Sequence, residues 1–327
     1  MAGELDEYTQ FILENFSPES LSLPRNEAEA ASMEILHFLA TAGRPKLPPE
    51  YRQKNETKVK TPSVVLEEQP STDCAAVQLS RRKRFVRLSL MPGLMPAANI
   101  AIRSRLFTTS TGPRIQYNTF TEIASWHKNI SISYKGEELR QDDSSVWFQL
   151  CKIAAKDPDF KISCTMYQLL KSLRLTDTGK NRKKVREQLD RLSDAKIFIR
   201  FDDIEYKGTI LPEYAVDGTG KILANLSATI SQLLGIYDFT MLKEDVHFSI
   251  PKTTQWFHAF LQSQAGPEVV IPWDKIKELS GTQEDNMDNF QRNFRKVAIK
   301  HLKEIGIITS AKTSKGNLVV VIDKDKG

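Results

Sequence analysis

The stretch NMDNFQRNFRKVAIKHLKEIGIITSAKTSKGNLVVV, Asn286 to Val321, decides how the rest of the chain is read. Phe290, Phe294, Ala298, Leu302 and Ile305 recur at helical spacing, while Asn289, Arg292, Asn293, Lys296 and Lys300 fall on the other side. One side packs, and the other offers amide and cationic donors. Gly306 stands where a helix C-cap belongs, and Ile307-Ile308-Thr309 and Leu318 to Ile322 read as strands around a basic turn from Lys312 to Asn317 that includes Lys315. Ahead of it, Trp273 to Ser280, closed by Gly281, supplies a short helix. Helix, turn, helix and hairpin in that order predict a winged helix whose second helix enters a DNA major groove. An amphipathic helix with a solvated charged face explains the same spacing if the segment is taken alone. The unit, however, occurs twice.

Val146 to Ala155 reads as a helix behind the capping residues Gln141 to Ser144, Phe160 to Thr165 as a strand, and Met166 to Leu173 as a short helix. Thr178-Gly179 opens a longer helix, Asn181 to Ala195, with Val185, Leu189 and Leu192 inward and Lys180, Arg182, Lys183 and Lys184 outward. Strands over Ile197 to Phe201, Thr209 to Val216 and Lys221 to Leu226 follow, the last two joined by Asp217 to Gly220. Earlier strands are expected over Ile100 to Thr109, Ile115 to Glu122 and Ile130 to Tyr134. An offset of 110 positions sets Trp147 against Phe257, Leu150 against Phe260, Leu169 against Leu279, Leu192 against Leu302 and Ile197 against Ile307, which points to an internal duplication. Inside the recognition helices the register slips, because Val185 falls opposite Arg295.

The fold class expected is therefore α+β, with two tandem winged-helix domains, 97–236 and 237–327, behind a small helical segment, 1–43, and a Pro-rich and basic linker or arm, 44–96. The 327 residues are 40% hydrophobic and 27% charged, a globular composition. Without a run of about 18 apolar residues or an apolar N-terminal segment, no membrane span or secretory signal is expected, and the location expected is cytoplasmic. Cys74, Cys151 and Cys164 lack the spacing of a disulfide framework or a zinc site. Net charge is only +5, but from Cys74 to Thr121 there is no Asp or Glu at all, against Arg81, Arg82, Lys83, Arg84, Arg87, Arg103, Arg105 and Arg114. Such a block reads as an arm that touches phosphates, or as a solubilising tail.

Catalytic chemistry finds no constellation. His37, His127, His247, His258 and His301 are scattered without the paired spacing of a nicking metal site. Thr178-Gly179-Lys180 and Gly218-Thr219-Gly220-Lys221 lack the spacing and the following hydroxyl of a phosphate loop, and read as a helix start and a hairpin turn. No enzyme activity, metal or cofactor is expected.

Two boxes, RSRLFTT at Arg103 to Thr109 and ISYKGEELRQDDSSVW at Ile132 to Trp147, resemble those of the TrfA-type replication initiators of bacterial plasmids. The similarity runs over about residues 87 to 327 and leaves out residues 1 to 80. It implies tandem winged helices that bind iterons, the direct repeats of a plasmid origin, on double-stranded DNA. It also implies partners: the host replication initiator, the helicase and the sliding clamp, with a homodimer as a candidate state. Where the family carries a Q-L-S-L-F clamp-binding peptide, this chain has Arg87-Leu88-Ser89-Leu90-Met91. That is either a degraded clamp motif or the apolar lead-in to the fold. Two rival readings keep the same domains, a transcriptional repressor or autoregulator and a protein-interaction scaffold.

Overall fold

Side chains dictate where the first elements begin. The computed structural model describes Ser89 and residues 91–157, 159–201, 204–226 and 239–323. Strand β1 (Leu94–Ala98) runs into a short helix α1 (Asn99–Ile102), and β2 (Phe107–Thr108) pairs in parallel with β5 (Leu139–Arg140). The strand expected over Ile100 to Thr109 is thus mostly helix and loop. Ser104, wholly buried, turns the chain there: its Oγ accepts from Leu106 N. The expected linker also overruns, since residues 94–96 are already strand.

Strands β3 (Gln116–Ile123) and β4 (Ile130–Glu137) lead to helix α2 (Gln141–Ala154). This helix starts five residues earlier than the apolar spacing predicts. Asp143 reaches back so that its Oδ2 accepts from Arg140 N at 2.8 Å, which satisfies one of the free donors of a helix start. Then β6 (Lys161–Thr165) enters α3 (Met166–Ser172) through a reciprocal cap: Gln168 N donates to Thr165 Oγ1 and Thr165 N to Gln168 Oε1. Helix α4 (Gly179–Asp194) opens where Thr178 Oγ1 accepts from Asn181 N, so Thr178-Gly179-Lys180 is a helix start. Val185, Leu189 and Leu192 are fully buried.

Next come β7 (Lys196–Phe201), β8 (Ile204–Thr209), β9 (Glu213–Val216) and β10 (Lys221–Asn225). The single strand expected over Thr209 to Val216 is two, broken around Pro212. β7 and β8 join β3 and β4 in a four-stranded antiparallel sheet, order β3-β4-β7-β8, whereas β9 and β10 join β6 in the order β6-β10-β9. Ile197 consequently belongs to an inserted sheet and has no counterpart in Ile307.

The second half repeats the plan without the insertion. After β11 (Phe239–Lys243) and α5 (Glu244–Ser249) come α6 (Lys252–Gln262), β12 (Glu268–Pro272) and α7 (Trp273–Ser280). A continuous helix follows, made of α8 (Met287–Phe294), a π turn (Arg295–Ile299) and α9 (Lys300–Glu304), and then β13 (Ile308–Ser314) and β14 (Asn317–Ile322). The sheet order is β12-β14-β13, strand for strand that of β6-β10-β9. Lys161 opens β6 and Glu268 opens β12, 107 positions on, so the repeat holds as topology while the offset of 110 does not stay constant. The π turn, a one-residue insertion, falls where the offset slips: the buried Phe294 lies 109 positions after the buried Val185, and Arg295 is exposed. Ile305, the C-cap of the helix, is 41% exposed, and Phe290, Phe294, Ala298, Ile299 and Leu302 are the buried side.

β1 pairs antiparallel with β11, Leu94 against Lys243 through Ala98 against Phe239, so the start of the first half and the start of the second share a sheet. The described residues lie within one compact unit. The boundary read at 236/237, the segment 1–43 and most of 44–96 lie outside the described residues. No described helix is long and apolar enough to cross a membrane.

Candidate nucleic-acid interface

Each half presents a helix whose outer side is polar. On α8, Asn286 caps the start by accepting from Asn289 N at 2.9 Å, and Asn289 Oδ1 in turn accepts from Arg292 Nη2 at 2.7 Å. Asn289 and Arg292 are therefore one oriented pair, with the Asn289 amide donors still available. Asn293 and Lys296 are exposed, and Lys300 pairs loosely with Glu304 at 3.7 Å. Arg295, missed by the sequence reading, lies beside them. Its guanidinium sits 4.8 Å from the centre of the Trp273 ring, and Nη2 donates to Gln291 Oε1 at 3.0 Å and Thr313 Oγ1 at 2.9 Å. This stack ties the helix to the hairpin. Only the register slip opposite Val185 marked Arg295 as unusual.

The β13-β14 hairpin is tighter than the basic turn expected over Lys312 to Asn317. Ser314 and Asn317 are paired, and Lys315 at φ +48° and Gly316 at φ +77° form the whole turn, both left-handed as a two-residue hairpin of this twist requires. Lys312 and Lys315 are exposed. The β9-β10 hairpin is different at its tip: Asp217 Oδ1 accepts from Thr219 Oγ1, Thr219 N and Lys221 N, and these bonds hold its carboxyl below the usual range. The tip of the first hairpin is thus organised by a carboxylate, where the second carries Lys315.

On α4, Lys180 and Lys183 are exposed, Lys183 standing 4.0 Å from Glu187. Arg182 grips Asp177 through Nε at 2.6 Å and Nη2 at 2.8 Å, the pair holding the Asp177 carboxyl down. Lys184 is engaged with Asp142 at 2.7 Å, which Lys252 also reaches at 2.9 Å. Burial acts to raise the Asp142 pKa, but Lys252 and Lys184 outweigh it and bring it down to about 2.

Arg103 and Arg105 were expected on a phosphate-binding arm, and the structure places them in a seam between the halves. Arg103 Nε donates to Ser263 Oγ at 3.0 Å, and the buried Arg105 Nε lies close to Gly281. Thr109 N donates to Ser280 O at 2.7 Å, and Trp126 meets Phe260 edge-on at 5.4 Å. The carboxylates of the second box tie the first half together. Glu138, buried, accepts from Thr108 Oγ1 at 3.0 Å and from Arg140. Asp143, with no exposed surface, takes Arg191 on Oδ1 at 3.0 Å and Arg114 on Oδ2 at 2.9 Å. On the opposite side, Glu244 Oε1 accepts from Gln149 and Lys152, both at 2.8 Å, and Arg174 pairs with Asp245. The two boxes thus serve architecture: a buried carboxylate needs charged donors around it, and these bind the segments together.

Arg81, Arg82, Lys83, Arg84, Arg87, Leu88 and Leu90 lie outside the described residues, while Ser89 is buried and Met91 is 46% exposed. Cys151 and Cys164 are buried free thiols. Burial pushes Cys164 up to about 11 and Cys151 further, which leaves both unreactive near neutrality. Among the described residues no group of three or more His, Cys, Asp or Glu is placed to hold a metal ion.

Residues 83–212 match the family model of TrfA, the TrfA protein. No curated protein matches the chain. Among solved structures, the crystal structure of RctB domains 2 and 3 is 11% identical, covering 68% of this chain and 97% of that one, at a TM-score of 0.47. A selenomethionine derivative of the same two domains is 10% identical, covering 67% and 95%, at a TM-score of 0.47. The match to the TrfA family model, residues 83–212, spans both sequence boxes and the carboxylates they bury.

Proposed function

We propose that the protein is a plasmid replication initiator that binds double-stranded DNA at the iterons of its origin through two tandem winged helices, in the regions 97–236 and 237–327. The observation that carries this reading is the repetition of one helix, strand, helix, helix, hairpin plan with one sheet order, each copy presenting a polar helix. In the second copy Asn289, Arg292, Asn293 and Lys296 carry the donor types that read base edges, and Lys300, Lys312 and Lys315 supply charge for phosphates. In the first, Lys180 and Lys183 are point charges, suited to phosphates more than to bases. The work is binding and strand opening without hydrolysis. By family resemblance the host initiator, helicase and sliding clamp are the partners, with Arg87 to Met91 as the candidate clamp peptide and a homodimer as a candidate state.

Footprinting on the DNA flanking the encoding gene tests the reading. Protection of direct repeats of about 20 base pairs, roughly two helical turns, is expected, with strand opening beside them. Protection of a promoter operator alone, with no opening, supports the repressor reading, and absence of salt-sensitive binding removes DNA from the function.

A further inference from the structure

We propose that Lys184 and Lys252 form a two-lysine site for one phosphate of the DNA backbone, and that the Asp142 carboxylate fills that site when DNA is absent. The inference rests on the duplex-binding reading and adds Lys252, which no sequence motif marked. Lys184 projects from α4 in the first half and Lys252 from α6 in the second, and both ammonium groups converge on one carboxylate, at Oδ2 and Oδ1, 2.7 and 2.9 Å away. Lys252 Nζ also lies 3.2 Å from Gln255 Oε1.

The position attracts anions for a second reason. Lys252 is the first residue of α6, and its N-cap, Pro251, gives no side-chain cap, so a cation stands at the helix end that already carries partial positive charge. An anion belongs there, and Asp142 supplies one. Two lysines against one carboxylate still leave a net positive site. The three side chains remain accessible, 47% for each lysine and 30% for Asp142. Lys184 follows Lys180 by one helical turn, so a backbone lying along Lys180 and Lys183 arrives at Lys184. A phosphodiester offers the same anionic oxygens to the same donors, so each lysine exchanges one partner for another. Asp142 thereby lowers binding to any sequence equally and leaves base reading untouched.

The test is binding of the full chain to a fluorescent duplex of random sequence over a salt series, for the parent, Asp142→Asn, Lys252→Ala and the double variant. Asp142→Asn is expected to bind several-fold tighter, with a slope of log K against log salt steeper by about 0.9 for each lysine released. Lys252→Ala should alter the parent little and remove about half of the added slope in the double variant. Asp142→Asn that is folded at the assay temperature, by a cooperative melt above it, and binds with equal or weaker affinity overturns the proposal. Asp142→Ser serves as a second replacement, and if both variants fail to fold, Asp142 is a structural joint and the proposal is rejected. A parent that shows no salt-sensitive binding instead refutes the duplex-binding reading itself.

Discussion

Replacing Gly281 by alanine probes how tightly the seam between the halves is packed. Gly281 holds φ +65°, and a Cβ there would stand 2.5 Å from Thr108 Cγ2, 2.7 Å from Thr108 Cβ and 3.3 Å from Arg105 Nε. Thr108 has little room to retreat, because it is 2% exposed and its hydroxyl is committed to Glu138. The left-handed conformation costs alanine about 1 kcal/mol, and forcing an extra methyl into a close-packed contact costs about 1–3 kcal/mol more. Gly316→Ala is the control, since Gly316 has a similar φ of +77° with nothing within 4 Å of its built Cβ. It should lose only the conformational part, about 1 kcal/mol. Urea unfolding of both variants with unchanged m gives the difference, expected at about 1–3 kcal/mol. Equal losses for the two variants would mean that the seam yields freely around Thr108, and the close packing argued for it would be wrong.

Asp143→Ala leaves Arg114 and Arg191 facing an emptied site, and should destabilise by about 3 kcal/mol, the low end for breaking a buried ion pair because both arginines keep some contact with water; thermal unfolding checks it. Arg292→Ala should cost about 1–3 kcal/mol and relax preference at one base pair in a binding selection, whereas a uniform loss across sequences makes Arg292 a phosphate contact. The pKa of Asp142 is depressed to about 2 from 3.8, so its stabilisation is complete above about pH 4, declines as pH falls and is gone below about pH 2. After discount for solvent screening that contribution is on the order of 1 kcal/mol, and the stability gap between the parent and Asp142→Asn should close across that window.

Elements governed by local spacing were legible in the sequence. Trp273 to Ser280 with its closing Gly281, the inward set Val185, Leu189 and Leu192, and the helix start at Thr178-Gly179 all depend on neighbours a few positions away. What stayed hidden depends on distant partners. The π turn at Arg295 to Ile299 leaves no signature in apolar spacing, and Ile305 read as inward although the helix ends at it. β7 read as a strand of the repeat and β8 went unread, because nothing local says that β3 and β4 claim them. Arg103 and Arg105 read as free cations because Ser263 and Gly281, more than 150 positions on, are silent in the local sequence. Asp142 and Asp143 were read as cap chemistry, yet one binds two lysines and the other two arginines.

The seam has a consequence for spacing. With Arg103 on Ser263, Thr109 on Ser280, Glu244 on Lys152 and β1 on β11, the helices α4 and α8 act as the jaws of a calliper locked at one setting. A flexible tether between two reading heads would let each find its own groove. On the duplex-binding reading proposed above, a locked calliper registers every base pair added between its marks as about 34° of misrotation, given about 10.5 base pairs per turn, and converts the length of a repeat, as well as its letters, into affinity.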